Sequence, residues 1–149
     1  GLIGPRPPRN FYQNPNYGRL FPDTYGAVAE YYQNTQIFPI MHVVGIKKEL
    51  VDNYAWLPAS LYKAFEEARK IALEAILDTS ASKMTIPLID EQIDFVHKEL
   101  GPELWTYGFH NNRHVIDKFL EYHHAQCLSS RLLDAEELFH PSSMESYSL

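Results

Sequence analysis

The sequence predicts an α/β chain, rich in helix and short of strands, and three observations carry that expectation. From Pro58 onward, Leu61, Ala64, Phe65, Ala68, Ala72, Ala75 and Ile76 recur at steps of three and four, while Lys63, Glu66, Glu67, Lys70 and Glu74 take the other face of a long helix. Residues 37–46 are short, nearly all apolar and β-branched after Pro39, the pattern of a strand covered on both faces. Four further segments carry helix signals, and one strand alone leaves its backbone donors and acceptors unpaired. Its partners are expected from Leu2-Ile3, from Leu20-Phe21, from residues 86–88, or from polypeptide outside this chain.

Taken in order, Pro5, Pro7, Pro8 and Pro15 with Asn10, Asn14, Asn16 and Gly18 remove backbone donors or favour turns, so residues 5–18 read as an extended surface connector or hinge. The chain starts at Gly1 without a methionine, and residues 1–5 read as the tail of a buried strand entering that connector, as in a processed or truncated product. Residues 23–34 form a helix capped by Asp23 or Thr24, with Gly26 weakening it. Lys47 and Lys48 end the strand, residues 49–54 make a short helix, and Pro58 suits the first turn of the long one. After a polar break at 79–83, a helix from Asp90 carries Ile93, Val96 and Leu100 and stops at Gly101-Pro102. Asn111 or Asn112 caps the next, whose stripe of Val115, Ile116, Phe119, Leu120 and His123 runs toward Cys127. A turn at 134–139 precedes a Ser-rich tail, 142–149, expected to fray.

Composition narrows the function. A chain of 149 residues, 45% apolar and 21% charged, has single-domain length and globular make-up. Thirteen Lys and Arg against nineteen Asp and Glu leave a net charge of -6, which argues against a broad grip on nucleic-acid phosphates but not against a small basic pocket for an anionic metabolite. No apolar run approaches the roughly 20 residues of a membrane-spanning helix. The lone Cys127 cannot form an intrachain disulfide. A cytoplasmic protein without nucleic-acid or membrane partners is the expectation.

Few side chains are placed for chemistry. His42 is the one ionisable group inside the apolar strand, either satisfied by backbone or held in a charge state that its neighbours set. Arg6, Arg9 and Arg19 flank the connector, where a guanidinium either grips a carboxylate at two points or is simply solvated. His110 and His114, with Asp117 and Glu121, sit one helical turn apart, but no H-E-x-x-H pattern supports a metal and a solvated polar face explains the spacing. Tyr12, Tyr17, Tyr25, Tyr31, Tyr32 and Phe38 make the first third aromatic, able to stack on a planar ring or to pack a helix on a sheet.

The string Arg19-Leu20-Phe21-Pro22-Asp23, then Tyr31-Tyr32 and Ile37-Phe38-Pro39-Ile40-Met41-His42-Val43-Val44, resembles the 4,5-dihydroxyphthalate decarboxylase family. The likeness continues through Leu61-Tyr62-Lys63-Ala64-Phe65-Glu66-Glu67-Ala68, Leu100-Gly101-Pro102, Tyr107-Gly108 and Glu136-Glu137-Leu138-Phe139. It implies the C-terminal portion of a type II periplasmic-binding-protein-like fold: residues 1–22 as an interlobe crossing, 23–141 as part of an α/β lobe, 142–149 as tail. It further implies decarboxylation of a dihydroxylated aromatic dicarboxylate to protocatechuate, with no cofactor, because the ring itself stores the electron pair. On that reading His42 is the acid/base group, Arg19 and Arg6 hold carboxylate, and Phe38 and Tyr32 meet the ring. The partner is a small aromatic carboxylate, with a second copy or a missing N-terminal lobe completing the molecule. A non-catalytic solute-binding module on the same fold is the alternative. Cys127 stands where the family pattern implies glycine, which puts the helix end there in question.

Overall fold

A computed structural model of the chain describes residues 1–4, 6–78, 80, 84–103 and 105–145. Its elements are α1 (Thr24–Thr35), α2 (Lys48–Asn53), α3 (Leu57–Leu77), α4 (Ile89–Glu99), α5 (Phe109–Ala125), a 3-10 turn (Ala135–Leu138) and α6 (Pro141–Met144).

Local chemistry explains most boundaries. Asp23 caps α1 by accepting from the Gly26 amide at 2.9 Å. Gly26, a weak helix former, leaves the room that this carboxylate occupies, since a Cβ there would collide with it. Pro58 lies in the first turn of α3, where its missing N–H costs nothing. In α4, Asp90 and Glu91 sit at the positive end of the helix dipole and His97 and Lys98 at the negative end. Beyond it Gly101 takes a φ of 89°, which side chains resist.

The start of α5 differs from expectation. Gly108 is its cap, at φ 97°, and Asn111 and Asn112 lie inside the first turn. The Asn112 amide donates back to the carbonyls of Gly108 at 2.8 Å and Thr106 at 3.1 Å, so it braces the approach to the helix rather than capping it.

The core gathers around α5. Phe109, Ile116 and Leu120 bury themselves against Ala135, with Leu133, Phe139 and Met144 packed around them. Arg113 fastens the return of the chain: it donates to Asp117, Asp134 and Glu136 and lies over the Phe109 ring. The 3-10 turn closes with a capping box between Asp134 and Glu137. Helices α2 and α6 pack on α3.

Three expectations are corrected. Residues 37–46 carry no strand, and Ile40, Met41, His42, Val43 and Val44 are exposed. Leu2-Ile3, Leu20-Phe21 and residues 86–88 are not strands either, and no strand occurs among the described residues. The physical reason is mutual: a strand exists only in a ladder, and none of these segments pairs with another. Second, the apolar stripe of α3 is largely uncovered, with Ala64, Phe65, Ala68 and Ala72 exposed. On the more covered side, beside the buried Pro58, lie Glu66 and Arg69, whose side chains are 14% and 13% exposed and meet at 2.6 Å. Third, Ser142, Ser143 and Met144 belong to α6, anchored by His140, whose ring accepts from the Ser142 amide; residues 146–149 lie outside the described residues. Among the described residues, no helix is long and apolar enough to cross a membrane.

Candidate functional site

An open concavity of about 230 Å³ forms where the end of α1 meets the start of α5. Its lining comes from three stretches: Tyr32, Gln36 and Phe38; Glu103 and Thr106; and Asn111, Asn112, His114 and Val115.

The α1 side is built from a helix that ends abruptly. Gln36 takes a left-handed conformation at φ 55°, its amide bonds the Tyr32 carbonyl at 2.7 Å, and its side-chain amide bonds the same carbonyl at 3.0 Å. Ile37 follows half-buried, its amide donating to the Thr35 hydroxyl at 3.1 Å. Phe38 then reaches Trp105, ring centres 5.3 Å apart.

His114 joins the two sides. Its Nε2 lies 2.7 Å from the Gln36 carbonyl oxygen. A carbonyl only accepts, so Nε2 carries the hydrogen and Nδ1 is left as the basic nitrogen. Nearby, Gln33 donates to Glu99 at 3.2 Å and Tyr25 meets Phe95 edge-on at 4.7 Å, holding α1 against α4.

Chemically the concavity offers an aromatic wall, several amide and hydroxyl groups, one carboxylate and one imidazole. Among the described residues, no arginine or lysine lines it. Such a lining accepts a neutral or hydroxylated ring, whereas a dicarboxylate needs cations brought from elsewhere.

The structure thus brings together Tyr32 and Phe38 and separates them from the other predicted site residues. His42 does not line the concavity; it stands exposed on the uncovered segment, not inside a strand. Arg6 and Arg19 are exposed and form no ion pair with any described residue. His110 and His114 do not gather into a ligand set with Asp117 and Glu121, because Asp117 is held by Arg113 and Glu121 by Lys118. Gln36, Glu103 and Thr106 were not singled out by sequence, and Asn111 and Asn112 only as helix caps. They become neighbours only through the packing of two helix ends far apart in the chain.

No protein-family model matches the chain. A curated 4,5-dihydroxyphthalate decarboxylase from Comamonas testosteroni is 45% identical over 150 aligned positions, covering 100% of this chain. The chain belongs to the 4,5-dihydroxyphthalate decarboxylase family. It corresponds to the C-terminal part of that relative and spans 46% of its length. Tyr32, Phe38 and His42 all fall within the matched span, so the concavity and the exposed segment beside it are both built from family sequence.

Proposed function

We propose that this chain supplies the C-terminal part of an enzyme that removes one ring carboxylate from 4,5-dihydroxyphthalate, giving protocatechuate. The observation that carries the reading is the 45% identity across the whole chain to a decarboxylase of that name. A small aromatic dicarboxylate is then the substrate. The two-lobe, periplasmic-binding-protein-like architecture is part of the same proposal, with residues 1–22 as the crossing. A reducing, cytoplasmic setting fits the single free thiol of Cys127.

The substrate dictates what the protein must provide. Each carboxylate lies para to a hydroxyl, so removing that hydroxyl's proton pushes an electron pair toward the carbon bearing the leaving group. A proton added there breaks aromaticity; the C–C bond then cleaves, CO₂ departs and the ring recovers. Required are a proton donor at the ring carbon, a base for the phenol and cations for the spectator carboxylate. His42 is the proposed acid/base group. Arg19 and Arg6 are the proposed clamps, and their lack of ion-pair partners among the described residues leaves both guanidinium groups available. Phe38 and Tyr32 supply the wall for the ring.

The test is CO₂ release from 4,5-dihydroxyphthalate by a polypeptide of the relative's full span. His42→Gln is expected to lower kcat on the order of 100-fold or more with little change in KM. An unchanged kcat removes His42 from the chemistry. Arg19→Gln is expected to raise KM, and parental kinetics would take that residue out of the site.

A further inference from the structure

The concavity between α1 and α5 has a one-sided hydrogen-bonding character that its residue types alone do not dictate. Gln36, Asn111 and Asn112 each carry donors and an acceptor, but backbone carbonyls take up the donors. Gln36 donates to Tyr32 at 3.0 Å, Asn111 to Tyr107 at 3.4 Å, and Asn112 to Thr106 at 3.1 Å and Gly108 at 2.8 Å. Carbonyls only accept, so the amide nitrogens face them and the amide oxygens are left over. His114 follows the same rule: its Nε2 hydrogen goes to the Gln36 carbonyl and its Nδ1 lone pair remains. The Glu103 carboxylate adds an acceptor with no donor of its own. None of these side-chain acceptors receives a hydrogen bond from a described residue.

Such a lining selects a ligand that donates. Vicinal phenolic hydroxyls supply two donors at one edge of a flat ring, and Tyr32 and Phe38 supply an aromatic wall for its face. A volume of about 230 Å³ falls below the roughly 300–1,000 Å³ of sites for drug-sized ligands, which suits a single ring. Ring carboxylates are turned away from this end, because they only accept and Glu103 repels them.

We propose that the concavity is the subsite for the two hydroxyls of a dihydroxylated ring, and that His114 Nδ1 takes the phenol proton. The identity of the ring rests on the decarboxylation reading above; the acceptor lining rests on geometry alone. The O–H bond breaks toward Nδ1, giving an imidazolium that keeps its Nε2 bond to Gln36, and the oxygen's electron pair moves into the ring toward the para carbon. That carbon takes a proton from His42. The C–C bond then breaks, its electron pair restores aromaticity and returns the oxygen to phenolate, CO₂ leaves, and the imidazolium gives its proton back. One proton is consumed overall, through His42, and none through His114.

Calorimetric titration of the 149-residue chain with catechol, 1,2-dimethoxybenzene, phthalate and benzyltrimethylammonium tests the subsite without turnover. Catechol should bind about tenfold more tightly than each of the others, since dimethoxybenzene and phthalate have no hydroxyl to donate. His114→Phe, which keeps a flat ring and loses both nitrogens, should weaken catechol about tenfold, whereas His110→Gln, on the same helix outside the lining, should not. Equal affinity for catechol and dimethoxybenzene overturns the proposal. Tightest binding of the ammonium gives the acceptors to an organic cation and also overturns it, as do equal losses in the two variants, which would trace the effect to α5 as a whole. In a polypeptide of the relative's full span, His114→Phe should lower kcat for 4,5-dihydroxyphthalate about 100-fold. A ring-fluorinated substrate, whose hydroxyl ionises more readily, should shrink that loss about tenfold. An unchanged kcat, or the same loss on both substrates, removes His114 as the base and overturns the inference. Catechol selectivity without CO₂ release would refute the decarboxylase reading alone, and CO₂ release without catechol selectivity would refute this inference alone.

Discussion

Two positions show how far single residues set the behaviour of the chain. Cys127 closes α5 at φ 58°, where its amide bonds the His124 carbonyl at 2.9 Å and the Leu128 amide bonds the His123 carbonyl at 3.0 Å. That is a Schellman ending, which favours glycine because a Cβ crowds the left-handed backbone. The departure from the family pattern therefore leaves the cap intact and makes it strained. Cys127→Gly is expected to stabilise the chain by about 0.5–1 kcal/mol, seen as a higher urea midpoint with an unchanged slope. Glu137 shows a different effect. Its hydrogen bond from Arg131, helped by the Asp134 amide, holds its carboxyl at about 2, below the usual 4.5. The folded value is the lower one, so the unfolded chain takes up the proton more readily. The stabilising contribution is complete above about pH 4.5 and disappears as pH falls through about 2. A carboxyl NMR titration should find Glu137 near the lower value, and Arg131→Gln should move it toward the upper one.

Elements were legible in the sequence wherever a local rule decides them. The Asp23 cap, the Pro58 start and the Gly101 stop all stand where residue chemistry places them. The start of α5 was not legible, because Asn111 and Asn112 look like caps but a left-handed glycine precedes them. Gly108 has φ 97° and ψ 153°, a region that side chains scarcely enter, and a Cβ there would sit 2.8 Å from the Tyr62 hydroxyl. Gly108→Ala is accordingly expected to cost about 1–3 kcal/mol and to loosen the junction between α3 and α5. Urea unfolding followed by helical circular dichroism measures it; a loss below the lower bound would mean that the junction relaxes freely.

At the scale of the molecule, much of the apolar stripe of α3 also faces water. Phe65 is 45% exposed. In the 149-residue chain, Phe65→Gln is expected to change stability by no more than about 0.5 kcal/mol, as for other surface substitutions. In a polypeptide of the relative's full span the same change should cost about 2–4 kcal/mol if that face is covered. Parallel denaturation of the two pairs makes the comparison. Equal, small effects in both would show that the stripe stays open.

Helix positions, most of their ends and the aromatic character of Tyr32 and Phe38 followed from sequence alone, because capping, turn chemistry and the 3.6-residue period act within a few residues of one another. The strand character of residues 37–46 was equally plain in the hydropathy, yet a strand is a property of two segments, and no described segment pairs with this one. The concavity was hidden for a related reason. Its walls come from stretches about 80 residues apart that meet through the hydrogen bond of His114 to the Gln36 carbonyl, beside the contact of Phe38 with Trp105. The sequence by itself determined which stretches coil and which residues are equipped for chemistry. Only the tertiary structure decided which faces are covered and which side chains meet, since burial and proximity depend on partners that no local pattern specifies.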